Sequence, residues 1–250
     1  MYKFSRKLWC AVMVLVLLLA SALWQWYRSF PHPRLKYIHH VPVVELYGNF
    51  SQMGAQYGTL LKKPLQDFYQ QEKVRFPDIS YDLQVANKVY NSYPMRYKVF
   101  LQQVAQHAGL SLNQIKIINA FEWLMYGVDM HHCSFLALWG PYRSGNEVAL
   151  IRNYDFNQDV LAFRSKLAMV VFHPPDGVST LMLTYLGTLN ATTLYNQKGL
   201  FLALNAGPHT IGPTYFSSRV ALPILLLDSM LGASSIAQLQ QQLASIKPQA

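Results

Sequence analysis

Cysteine is almost missing from this 250-residue chain: there are two, Cys10 and Cys133. That excludes a disulfide-stapled fold and the cysteine-rich zinc modules. Charge is scarce at 13% of residues, and acids are scarcer still, 12 against 21 Lys and Arg. With 52% apolar residues, disorder is excluded and one domain with a substantial core can be built. The +9 net charge forms no dense basic run, and Lys3, Arg6 and Lys7 crowd the extreme N-terminus, so no nucleic-acid partner is expected. No phosphate-cradling glycine loop, Ser-centred nucleophile elbow or internal repeat is present. His32, His39 and His40 match no common zinc spacing and no cysteine joins them, so neither a metal nor another cofactor is expected.

What is present begins with the uncharged run 8–24, LWCAVMVLVLLLASALW, behind that basic start. This is an export signal. It sits at the short limit for a spanning helix. Ala20-Ser21-Ala22 fits a cleavage site, whereas Trp24, Trp26 and Tyr27 fit the interfacial belt of an uncleaved anchor. Both readings export the body, either anchored in the inner membrane and facing its outer side, or secreted or periplasmic. Cys10 lies inside the run, which leaves Cys133 as the sole thiol of the body.

After a Pro-containing linker at 25–35, residues 36–47 read as an edge strand or two short strands around Pro42. Met53, Tyr57, Leu60, Leu61 and Leu65 repeat at helical spacing over 50–72, with Pro64 placed to kink or split the helix. Gly54 and Gly58 lie one turn apart, where another element can approach closely. Helices are predicted at 81–107 and 112–127, the second capped by Ser111 and striped by Leu112, Ile115, Ile118, Phe121 and Met125. Strands are predicted from CSFLALWG and EVALIRNY, joined by a turn at Ser144-Gly145-Asn146. More follow at Leu167–Phe172, Thr180–Tyr185, Ala191–Tyr195 and Gly199–Leu204. Helices return at 218–231 and 234–247. Helices, then strands, then helices imply an α+β domain with its sheet buried beneath helices. A sheet ending there leaves an open edge, so the chain is expected to be incomplete at its C-terminus, or unusually short. Asn49-Phe50-Ser51 and Asn190-Ala191-Thr192 match glycosylation sequons.

Cys133 opens the first of the later strands, behind His131 and His132, which read as solvated loop residues. The next strand ends in Arg152-Asn153-Tyr154-Asp155, which a hairpin returns to the cysteine. A guanidinium beside a thiol favours thiolate. Strand alternation puts Arg152 and Asp155 on opposite faces, so both can face Cys133 only if the chain bends at Asn153–Tyr154.

Cys-Ser, a hairpin, then Arg-Asn-x-Asp-Phe resembles the cysteine N-terminal-nucleophile (Ntn) hydrolases. That superfamily includes penicillin V acylase, bile-salt hydrolase and acid ceramidase. The acyl-coenzyme A:6-aminopenicillanic acid acyltransferases fit best. Their Gly-x4-Met-Gly-x-Gln-x-Gly-x-Leu-Leu pattern is similar to Gly48, Met53, Gly54, Gln56, Tyr57, Gly58, Leu60 and Leu61, and their Asn-x-Lys-Gly-Leu to Asn196, Lys198, Gly199 and Leu200, with Asn205 beyond. The resemblance spans about residues 43–225.

It implies a four-layer αββα Ntn sandwich: signal peptide or anchor at 1–27, a helical pro-region at 28–132, and a catalytic chain at 133–250, both chains arising from one precursor. It also implies autocatalytic cleavage between His132 and Cys133. The freed α-amino group, with a reference pKa near 8, then serves as base for its own thiol. Arg152 supports the thiolate or contacts substrate, Asp155 holds the α-ammonium, and Asn205 contributes to the oxyanion hole. The expected reaction is hydrolysis or acyl transfer at the linear amide of a small N-acyl substrate. A phospholipase-B-like acyl-ester hydrolase and a non-catalytic envelope protein of the same fold are the alternatives. Three features depart from the family. His132 stands where the acyltransferases usually have glycine. The hairpin is longer than in bile-salt hydrolases. The family's later asparagine and second arginine have no counterpart before Ala250.

Overall fold

The structure, a computed structural model, describes residues 12–13, 15–19, 21, 31–75, 78–125, 133–142, 145, 147–155, 163–205 and 221–246. They fall into two compact units, Met1–His32 and Pro33–Ala250. In the first, the described part of the apolar run is helical, with Val12, Met13 and Leu15 through Leu19 exposed. Among the described residues no helix is long and apolar enough to cross a membrane.

The second unit is α+β with a mixed sheet. It opens with a hairpin, β1 (Arg34–Ile38) and β2 (Val41–Tyr47). Six helices follow: α1 (Phe50–Leu60), α2 (Lys62–Arg75), α3 (Ile79–Ser92), α4 (Met95–Ala108), α5 (Leu112–Asn119) and α6 (Phe121–Met125). Then come β3 (Ser134–Leu138), β4 (Ala149–Asn153), β5 (Leu167–His173), β6 (Thr180–Tyr185), β7 (Thr193–Asn196) and β8 (Phe201–Ala203). Helices α7 (Leu222–Gly232) and α8 (Ile236–Ser245) close the described chain.

Six strands form one sheet in the order β1-β2-β5-β6-β7-β8, and β3-β4 form a separate two-stranded sheet. Every neighbouring pair is antiparallel except β2 and β5, which run parallel from Val43 opposite Met169 to Tyr47 opposite His173. Alternation sends Val44, Leu46, Ala168, Val170, Phe172, Met182 and Leu194 from the large sheet into the core with Met53, Tyr57, Leu61, Phe68, Tyr97, Phe100 and Leu227 of the helices. The β3-β4 hairpin touches the large sheet where Phe135 stacks on Phe201, ring centroids 5.4 Å apart. Its other face carries Leu136 and Ile151, which pair with each other and are exposed.

The predicted β stretch around Pro42 is two strands, joined by His39 and His40 at φ 46° and 70°. Two consecutive left-handed residues give the twist a two-residue hairpin needs. Pro42 lies opposite Tyr37, while pairing with β5 begins one residue later, so its missing N–H costs no ladder bond. Strand β2 is therefore internal, and β1 is the edge. Pro64 splits the predicted 50–72 helix, standing in the first turn of α2 after the cap at Leu61.

Gly54 and Gly58 let α1 meet α4: a Cβ on Gly54 would stand 2.4 Å from the Phe100 carbonyl oxygen, and one on Gly58 2.6 Å from that of Val104. Ser111 caps α5 in a reciprocal pair with Gln114. The single helix expected over 81–107 is instead α3 and α4, because Pro94 drives Tyr93 into extended backbone (φ −74°, ψ 142°). The helix expected over 112–127 pauses at Ala120, between α5 and α6. Residues 126–127, 144, 146 and 218–220, and the side chain of Met125, lie outside the described residues.

Candidate functional site

Cys133 is half-buried and immediately precedes β3. Ser134 pairs with Asn153 and Phe135 with Arg152, so the hairpin returns the end of β4 to the cysteine. His131 and His132 lie outside the described residues. At this same end of the pairing, an Nη2 N–H of Arg152 donates to the carbonyl of Leu204, just beyond β8 and one residue before Asn205. Leu204 is itself fixed, its N–H donating to the Thr192 carbonyl at 2.9 Å. Asn205 is exposed.

The ladder ends at Asn153, and its side-chain amide donates to Asp155 Oδ1 at 2.6 Å. The chain thus leaves strand geometry where facing both Arg152 and Asp155 to one site requires it. Both line a cavity of about 350 Å³, together with Tyr154, Glu122, Arg164, Leu183, Tyr185 and Thr193. Neither Cys133 nor Asn205 is among its lining residues. The Arg152 guanidinium lies 4.8 Å from the Tyr154 ring centroid.

Glu122 is the residue that sequence reasoning missed. It is 2% exposed on α6, accepting from the Tyr154 hydroxyl through one carboxylate oxygen and from the Asn190 side-chain amide through the other. Burial pushes its carboxyl up to about 7, against the opposing pull of those two hydrogen bonds and of Arg152. The signal was there to read: in a chain with 12 acids, one stands inside the apolar segment FEWLM.

Asn190 belongs to a loop that the helices hold by three buried polar contacts. The Tyr57 hydroxyl accepts from Gly187 N–H at 2.8 Å, the Asn119 Oδ1 from Leu189 N–H at 2.9 Å, and Glu122 from the Asn190 side chain. At 1% exposure Asn190 is a buried donor, which removes its sequon from reach of a modifying enzyme in the folded chain. Asn49 instead caps α1 in a reciprocal pair with Gln52.

The motif residues have structural tasks. Gln56 binds both the N–H and the carbonyl of Tyr47, at 2.9 and 2.8 Å, and so ties α1 to the end of β2. Asn196 is fully buried. It donates to the carbonyls of Met230 and Ala233 at the end of α7 and accepts from the N–H groups of Lys198 and Leu200. Gly199 turns between β7 and β8 at φ +80°.

Among the described residues, no group of three or more His, Cys, Asp or Glu side chains could hold a metal ion. No family model matches the chain, and no curated protein sequence matches it.

Proposed function

We propose that the chain is the precursor of a cysteine Ntn hydrolase or acyltransferase, with the αββα fold of that class, acting on the linear amide of an N-acyl substrate. One observation carries this reading. The bond from Arg152 to the Leu204 carbonyl draws the ends of β4 and β8 together beside the start of β3, so Cys133, Arg152, Asp155 and Asn205 come from adjoining strand ends.

In this reading the Cys133 thiol attacks the carbonyl of His132. The C–N bond breaks as the amide nitrogen takes a proton, leaving a thioester. Water then hydrolyses the thioester, releasing the upstream segment as a carboxylate and freeing the thiol beside the α-amino group already exposed. That amine, with a reference pKa near 8, takes the thiol proton. The thiolate attacks the substrate carbonyl, the leaving amine departs protonated, and water or an acceptor amine removes the acyl group. Arg152 supports the thiolate, Asp155 holds the α-ammonium, and Asn205 donates to the developing oxyanion, a contribution of about 3 kcal/mol.

The exclusion of Cys133 from the cavity lining favours a second reading, a non-catalytic envelope protein of the same fold. Intact-mass measurement on the wild type and Cys133→Ala separates the two. Two fragments meeting at His132–Cys133 in the wild type alone support the enzyme; an uncut, folded wild type refutes it. A panel of matched N-acyl amides and acyl esters then distinguishes amidase from phospholipase-B-like esterase.

A further inference from the structure

The geometry points to Glu122 as a positioning residue of the cleft, a buried clasp that ties Tyr154 on the cavity wall to Asn190 in the buried loop after β6 and so sets where Arg152 and Asp155 stand. Tyr154 is covalently flanked by Asn153 and Asp155, and its ring lies against the Arg152 guanidinium. Whatever holds its hydroxyl therefore holds Arg152 and Asp155 together. Asn190 sits on the loop whose backbone Tyr57 and Asn119 already pin. The clasp thus joins the helical layer to the end of the β3-β4 hairpin, which also meets the large sheet through the Phe135–Phe201 stack and the Arg152–Leu204 bond.

A neutral glutamine side chain has one accepting oxygen for these two donors and so cannot reproduce the clasp. A carboxylate does something further at this position, because charge-assisted hydrogen bonds are roughly twice as strong as neutral ones. The groups that face it are Arg152 from β4, Tyr154 just beyond it, Tyr185 from β6, Tyr93 from the end of α3, and the uncharged Asn190. Arg152 is the one cation among them, and burial raises the Tyr93 and Tyr185 phenols, so they stay neutral where a carboxyl titrates. Burial places that titration at about pH 7. Above it, the carboxylate grips both donors and attracts Arg152; below it, the neutral acid holds them weakly.

The inference rests on the enzymatic reading only for its consequence in catalysis, so its test includes arms that need no activity. In the full-length protein, one component of the protonated-carboxyl infrared absorption should disappear across about pH 7 in the wild type and be missing from Glu122→Gln, while the contributions of Glu72 and Asp82, which burial also raises, stay the same in both. Phenylglyoxal modification, located by mass spectrometry, reads the cleft itself, with Arg96 as internal reference. The Arg152-to-Arg96 ratio should rise several-fold as the pH falls through about 7 in the wild type. In Glu122→Gln it should stay high at every pH. Tyr154→Phe, which keeps the carboxyl and removes one donor, should move the infrared transition upward and leave the Arg152-to-Arg96 ratio high at every pH. A wild-type ratio flat with pH, or a folded Glu122→Gln that keeps the wild-type profile, overturns the inference. If the chain also cleaves amides, kcat should follow the same transition. Loss of activity at every pH with the phenylglyoxal transition intact would instead count against the enzyme reading alone.

Discussion

The contact between α1 and α4 makes a substitution whose sign is the test. On helix propensity alone, Gly54→Ala should stabilise the chain by about 1 kcal/mol. The structure opposes this. The new methyl would lie 2.4 Å from the Phe100 carbonyl oxygen and 3.0 Å from the Gln103 Cβ. The carbonyl is main-chain atoms inside a helix and cannot swing aside, so the two helices must separate across the face that carries Met53, Tyr57, Phe100 and Val104. Overpacking of this kind costs about 1–3 kcal/mol, which outweighs the propensity gain. We expect a net loss of about 1–2 kcal/mol, or a fall in Tm of roughly 2–8 °C for a domain of this size. Urea unfolding followed by far-ultraviolet circular dichroism measures it. Ala55→Gly, one residue along on the half-exposed side of α1, is the control and should lose only about 1 kcal/mol. A Gly54→Ala protein more stable than the wild type would refute the close approach of the two helices.

Asn196→Ala leaves two buried carbonyls and two N–H groups without their side-chain partner and should cost about 3 kcal/mol or more; Asn196→Asp should do no better, since a carboxylate has no N–H for Met230 and Ala233. Urea midpoints of the two variants check this. Glu122 should make stability fall as pH rises. With its carboxyl raised from an ordinary 4.5 to about 7, the folded state binds the extra proton, so this contribution is complete below about 4.5 and gone above about 7. At about 1.4 kcal/mol per pKa unit the loss is about 3.5 kcal/mol, and Glu122→Gln should flatten it in urea titrations at stepped pH.

Features decided by neighbours in the chain were legible in the sequence. Pro64 and Ser111 act within one helical turn, and Gly54 and Gly58 announce a close approach because nothing larger fits. Pro94 was equally local, yet the apolar periodicity continues through it, and that continuity concealed the break between α3 and α4. The site was legible where a hairpin suffices, as in the return of Arg152 to Cys133. It was illegible where partners are distant: Glu122 meets Tyr154 across 32 residues and Asn190 across 68, and Arg152 meets Leu204 across 52. No periodicity encodes such pairings, which join α6, the end of β4, the loop after β6 and the end of β8 only once the chain is folded.

The parallel pairing of β2 with β5 has a consequence for the life of the protein after a cut. Strand β2 precedes residue 133 and β5 follows it, yet each is an inner neighbour of the other in one sheet. A nick within 126–132 would therefore yield not a detachable propeptide and a free enzyme but two mutually templating halves. Each would lack the strands that finish the other's sheet, and parting them would expose Val44 and Leu46 to water. The halves should travel as a single particle through native chromatography and come apart only in denaturant, so the upstream piece serves as a permanent subunit rather than a discarded leader.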